Sequence, residues 1–129
     1  MTSTTAILAD LIAFPTVSRD PNRALIDYCA DRLDQAGVVC QIIEDQTGGK
    51  ANLYATIGPE DQSGVMLSGH TDVVPVDGQD WTKPPFQAVE DQGRIYGRGT
   101  ADMKGFVASA LAAGLEAAKM PLKNPLHLA

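Results

Sequence analysis

Apolar positions recur at helical spacing near the start of the chain. Ile7, Leu8, Leu11, Ile12 and Phe14 share one face of a helix over residues 4–14, which Pro15 stops. A second helix is punctuated at both ends within SRDPNRALIDYCADRLDQAG. Asp20 is the expected N-cap, Pro21 takes the first helical position and Gly37 the C-terminal cap. Leu25, Ile26, Tyr28, Cys29 and Leu33 give this helix a single apolar stripe. The period then shortens. VVCQIIED and NLYATIG are rich in β-branched residues and read as strands joined by the turn QTGGKA. GVMLS is a short unbroken apolar run, the pattern of a strand buried on both faces. FQAVEDQGRIYG reads as a hairpin turning near Asp91 to Gly93. KGFVASALAAGLEAAKM is alanine-rich and helical, with small residues that allow close packing. PLHLA begins one more buried strand, on which the sequence stops. The order predicts an α/β fold, a layered sheet with helices. It also predicts a part of a larger domain, with an unpaired edge and an uncovered apolar face at the final strand.

Composition narrows the class. The 129 residues suffice for one domain, and 44% hydrophobic with 20% charged residues is the balance of a soluble globular protein. A net charge of −6, with Lys and Arg scattered, excludes a nucleic-acid or anionic-membrane partner, which needs a basic patch. No window approaches the roughly 18 apolar residues of a membrane span. MTSTTAILADLIAF lacks the basic region and cleavage site of a secretory signal. Cys29 and Cys40 fit no zinc or redox spacing and read as buried free thiols. A cytoplasmic protein is expected.

Two stretches carry chemistry. In MLSGHTDVVPVDG, an apolar strand runs into His70 and Asp72. Ligands of α/β sheets bind outside the carboxyl ends of the strands, and His70 falls at such an end. A neutral imidazole there can ligate a metal while Asp72 accepts the other ring N–H and fixes the tautomer. By itself the His-x-Asp spacing is more often a plain hydrogen-bonded pair. In YGRGTADMKG, Asp102 lies between a glycine-punctuated loop and the alanine-rich helix. Its carboxylate can bridge two metals or cap the helix, and in the second case Gly97 and Gly99 serve the turn alone.

Together, GHTDVVPVDGQDWTKPPF and GRIYGRGTADMKGF resemble the zinc-dependent M20 family of aminoacylases and exopeptidases, and the likeness runs along essentially the whole chain. The resemblance implies that residues 1–129 are the N-terminal part of an M20-type catalytic domain, lacking its C-terminal part and a dimerisation domain. It assigns His70 as a ligand to one Zn²⁺, Asp102 as the bridge between two, and Asp72 as the catalytic-site carboxylate that orients the ligand shell. It makes the Asp102–Met103 peptide cis. Zinc or cobalt would serve as the metal, a small N-acyl amino acid as the substrate, and the full-length relatives would be homodimers. The family's general-base glutamate and three of its five metal-ligand side chains fall outside this sequence. The chain alone is therefore expected to bind metal weakly and to be inactive. A stand-alone binding module and one chain of a split enzyme are the competing readings.

Other features are expected to be structural. His127 alternates with Leu126 and Leu128 and reads as a packing or surface residue. Trp81, Pro84, Pro85 and Phe86 staple a loop that could also cover the site. Arg94 and Arg98 suit a substrate carboxylate, but surface solvation is the expected role. Lys104 is expected to make a helix-start or loop contact.

Overall fold

The computed structural model describes residues 3–129. Helix α1, Thr4–Ala13, is capped by the Ser3 hydroxyl, which accepts from the Ala6 N–H at 3.1 Å. Helix α2, Arg23–Gln35, starts later than its sequence suggests, and Asn22 rather than Asp20 is its N-cap residue. The reason lies in β2. The Asn22 side-chain amide pairs with both backbone groups of Ala51, at 2.9 and 3.0 Å, and holds residues 20–22 outside the helix. Gly37 ends α2 as expected. With φ of 79° it lets its own N–H reach Asp34 O and the Val38 N–H reach Leu33 O, the double bond of a Schellman cap.

Strands β1, Cys40–Glu44, and β2, Ala51–Ile57, form the expected antiparallel hairpin. β3 spans Val65–Leu67. β4, Val89–Asp91, and β5, Arg94–Tyr96, make a separate hairpin whose two turn residues, Gln92 and Gly93, have φ of 50° and 73°. Helix α3, Gly105–Ala117, then leads to β6, Leu126–Leu128.

The main sheet has the order β1-β2-β6-β3, with β6 antiparallel to β2 and parallel to β3. Two expectations are overturned here. The final strand is not an unpaired edge, because the crossover through α3 brings β6 back between β2 and β3. β3 is consequently an edge strand rather than a doubly buried one, with Val65 62% and Met66 51% exposed. An apolar run of three residues specifies a strand but not its place in the order. Ala51, Ala55, Ile57 and Leu128 pack against Ile7, Leu11, Leu25, Leu33 and Leu111 of the three helices. Tyr54, Thr56 and His127 alternate to the other face. Cys29 is buried and its thiol is pushed up to about 12 by burial and by nearby Cys40, while Cys40 is only half-buried. Among the described residues no helix is long and apolar enough to cross a membrane.

The start of β3 lies against the start of β6. A Cβ on Gly64 would sit 2.0 Å from the Pro125 carbonyl oxygen, the group that accepts the first Val65 bond. Gly64→Ala must therefore push the two strands apart, and a loss of about 2–3 kcal/mol is expected in urea denaturation.

Candidate metal centre

The ladder between β3 and β6 continues past the strands. Ala129 N–H donates to Leu67 O and Gly69 N–H to Ala129 O, both at 3.0 Å, so the backbone is held up to the residue before His70. His70 then emerges at the carboxyl end of β3, as its sequence position predicts. Its Nδ1 lies 3.0 Å from Asp72 Oδ1 and 3.1 Å from the Asp72 carbonyl oxygen. Its Nε2 lies 3.1 Å from Asp102 Oδ1, a residue 32 positions along the chain. The two motifs singled out in the sequence therefore meet at one imidazole.

Burial acts to lower the His70 pKa, but the hydrogen bonds to Asp72 and Asp102 and their charges outweigh it, so the ring titrates above its ordinary value. Asp72 titrates below its ordinary value, first because the Ser18 hydroxyl donates to Oδ2, with the His70 charge adding to this against some burial.

Asp102 is delivered by a tight loop. Gly99 has φ of 90°, and a Cβ there would lie 2.7 Å from Val73 Cγ1, so the position admits glycine on both counts. Lys104 N–H closes the loop on Gly99 O at 2.8 Å. Asp102 itself is non-helical, with φ of −133° and ψ of 97°, and Lys104 separates it from the first turn of α3. It does not cap that helix, and the capping alternative is overturned. The Asp102–Met103 peptide is cis, as the resemblance implied. The Asp102 side chain is 85% exposed and His70 51%. Beside them is a hollow of about 230 Å³ lined by His70, Asp72, Arg98, Thr100 and Asp102. A larger groove of about 760 Å³ runs from His70 between α2, β2 and α3 over Ile26, Leu53 and Phe106.

An imidazole nitrogen and a carboxylate oxygen presented together to solvent are suitable donors for a first-row divalent ion. Their number is small: among the described residues no group of three or more His, Cys, Asp or Glu is placed to hold a metal. His70 and Asp102 fit such an ion as part of a ligand set.

The remaining candidates lie elsewhere. His127 Nδ1 is 3.0 Å from Tyr54 Oη and 2.9 Å from Thr56 Oγ1, and its ring stacks on Tyr54. It is a sheet-face packing residue, as expected. Arg98 is not merely solvated. Its guanidinium lies 4.9 Å over the Trp81 ring and reaches Pro75 O, while its N–H donates to Pro85 O. Trp81, Pro85 and Arg98 thus staple the loop beside the hollow. Arg94 is exposed at the start of β5. Lys104 is wholly buried, and its Nζ donates to Leu11 O and Phe14 O at 2.9 and 2.6 Å, a contact between the Asp102 loop and the end of α1. Sequence reasoning passed over Thr16, Ser18 and Asn22, which touch residues 71–73. Their one signal is a cluster of small polar side chains after Pro15.

Residues 66–129 match the model of Peptidase family M20/M25/M40. The chain is 41% identical over 125 residues to acetylornithine deacetylase of Proteus mirabilis (strain HI4320), covering 92% of the chain and 32% of that relative. It is 42% identical over 125 residues to acetylornithine deacetylase of Pasteurella multocida (strain Pm70), with the same coverage of 92% and 32%. Among solved structures, an M20 family metallo-carboxypeptidase, Sso-CP2 from Sulfolobus solfataricus, superposes with a TM-score of 0.84 at 25% identity, over 99% of this chain and 30% of that one. Human carnosine dipeptidase 1 shares the fold with a TM-score of 0.80 at 24% identity, over 97% of this chain and 30% of that one. The chain thus spans about a third of the length of the curated relatives it matches.

Proposed function

We propose, from the match of residues 66–129 to peptidase family M20/M25/M40, that this chain is the N-terminal part of the catalytic domain of a metal-dependent amide hydrolase. The reaction is that of acetylornithine deacetylase, N-acetyl-L-ornithine and water giving L-ornithine and acetate, a cytoplasmic step of arginine biosynthesis. The observation that carries the reading is the meeting of His70 Nε2 with Asp102 Oδ1 at 3.1 Å, across 32 residues of sequence, with Asp72 on the opposite ring nitrogen.

In this reading His70 and Asp102 hold divalent ions, zinc or cobalt, and Asp102 is the carboxylate shared between two. A bound ion supplies Lewis acidity to the amide carbonyl and lowers the pKa of water. The protein's own contribution begins with Asp72, whose carbonyl and carboxylate oxygens both face Nδ1 and favour the ring proton there, so that Nε2 would be free to ligate an ion. The Trp81–Arg98 stack holds the wall of the hollow in which a small acyl group would sit. The reading assigns the glutamate that takes the proton from water, and the remaining ligands, to the two thirds of the relatives' length that this chain does not match. The isolated chain accordingly turns over no substrate, and the whole enzyme is a homodimer. A binding module without catalysis has no use for a carboxylate fixed behind an exposed imidazole, which speaks for the enzyme.

Hydrolysis of N-acetyl-L-ornithine and of N-succinyl-L,L-diaminopimelate by the whole protein, before and after dialysis against a chelator, tests the reading. The acetyl substrate is expected to be preferred by about 100-fold or more, with activity lost on chelation and restored by zinc or cobalt. Faster hydrolysis of the succinyl substrate would make the protein a desuccinylase of the same family. Hydrolysis of neither by the whole protein would leave the binding module.

A further inference from the structure

We propose that Ser18 is a positioning residue for the metal centre, holding Asp72 and through it the His70 ring. The proposal rests on the reading of His70 as a ligand. Residues 16–18, between α1 and α2, run alongside residues 71–73 as a short parallel bridge, Val17 beside Val73. Val73 N–H donates to Thr16 O at 2.9 Å and Ser18 N–H to Val73 O at 3.1 Å. The Thr16 hydroxyl donates to Thr71 O at 2.6 Å, and the Asn22 side-chain amide to the Thr71 hydroxyl at 3.0 Å. The backbone is therefore pinned on both sides of Asp72.

Pinned backbone does not fix a carboxylate. The last torsion of an aspartate is broad and two-fold, and the Asp72 side chain is 45% exposed. The Ser18 hydroxyl removes that freedom by donating to Oδ2, which leaves Oδ1 directed at His70 Nδ1, 3.0 Å away. The ring is held in turn, with Nε2 outward. The resulting line runs from the Ser18 hydrogen bond on Asp72, through the 3.0 Å contact of Asp72 Oδ1 with His70 Nδ1, which also faces the Asp72 carbonyl, to the 3.1 Å contact of His70 Nε2 with Asp102. Outer partners of this kind set ligand orientation and basicity. Ser18 is exposed, and the other contact of its hydroxyl, Val73 O at 3.4 Å, is long beside that to Asp72.

Zinc titration by calorimetry, carried to millimolar metal, should be run on the wild-type chain, Ser18→Ala, Ser18→Thr and His70→Ala. The ¹⁵N shifts of the His70 ring, recorded without metal at about pH 9, give a second readout that no merely structural role would move. Ser18→Ala is expected to weaken zinc binding about tenfold, with Ser18→Thr close to wild type. Ser18→Ala is also expected to move the His70 ring shifts toward the tautomer protonated on Nε2, whose proton faces Asp102. Weaker binding in His70→Ala but unchanged binding and ring shifts in Ser18→Ala would overturn the proposal and leave the metal reading intact. Measurable binding that is equal in wild type and His70→Ala would overturn the metal reading, whereas binding absent from both is the weakness expected of two ligands. The ring shifts then decide the role of Ser18, and shifts unchanged by Ser18→Ala reject it. Should Ser18→Ala lack a native circular-dichroism spectrum, Ser18→Cys, which keeps the volume and weakens the donor, takes its place under the same criteria.

Discussion

Lys104→Met, two residues from Asp102, is expected to destabilise the fold by about 3 kcal/mol. Lys104 is fully buried, and its ammonium makes two charge-assisted bonds, to Leu11 O and Phe14 O. These bonds tie the end of α1 to the loop that carries Asp102. Methionine fills the space but donates to neither carbonyl. Each carbonyl left without a donor costs roughly 1–3 kcal/mol, whether ammonium or amine is removed, while the ammonium carries a burial cost of its own. That cost has a pH signature. Burial lowers the Lys104 pKa from 10.5 to about 8. Below pH 8 the amine is charged in both the folded and the unfolded chain, and its contribution is constant. Between about 8 and 10.5 the unfolded chain holds the proton and the native one does not, so native stability gains with rising pH. Urea denaturation of wild type and Lys104→Met across this range should show the wild-type advantage growing with pH. A constant difference would mean that the two carbonyls fully compensate the buried charge.

The consequences of Lys104 show where a sequence stops being informative. The helices were legible because α1 and α2 repeat their apolar residues on one face, and because Gly37 has a single reason to follow Ala36 at the end of α2. His70 and Asp102 were legible only as a pair, through long runs whose residue types and glycines all match one family. What failed was order and contact. GVMLS gives no indication that β6 inserts beside it and leaves Met66 at an edge. Asp20 and Asn22 are equally good capping residues on paper, and Pro21 favours the first, but Asn22 is fixed by Ala51, 29 residues away. Ser18 and Lys104 were invisible as parts of the site for the same reason. The first reaches Asp72 across 54 residues and the second Leu11 across 93, and no local pattern encodes such partners. Arg98 looked like a solvated charge because its spacing cannot show that Trp81 folds back beneath it.

Of the two histidines, only one should matter to a metal, and this is the sharpest contrast the fold offers. His70→Ala is expected to lower zinc affinity by about 100-fold or more, since loss of even an outer partner costs 10–100-fold. Its ring is 51% exposed and touches Asp72, Asp102 and no core residue of the sheet, so the thermal midpoint should move little. His127→Ala should do the reverse. The ring bonds Tyr54 and Thr56 and stacks on Tyr54 between β2 and β3, so its removal should cost about 1 kcal/mol of stability and leave zinc affinity unchanged. Calorimetry and thermal denaturation on the same two variants separate these roles. The opposite result, with zinc lost in His127→Ala and retained in His70→Ala, would place the metal on the open face of the sheet and remove the basis for reading the His70–Asp102 pair as a ligand set. A chain that loses zinc in both would point to a fold that needs the ion, because His70 and His127 lie in different parts of the molecule and share no hydrogen-bond partner.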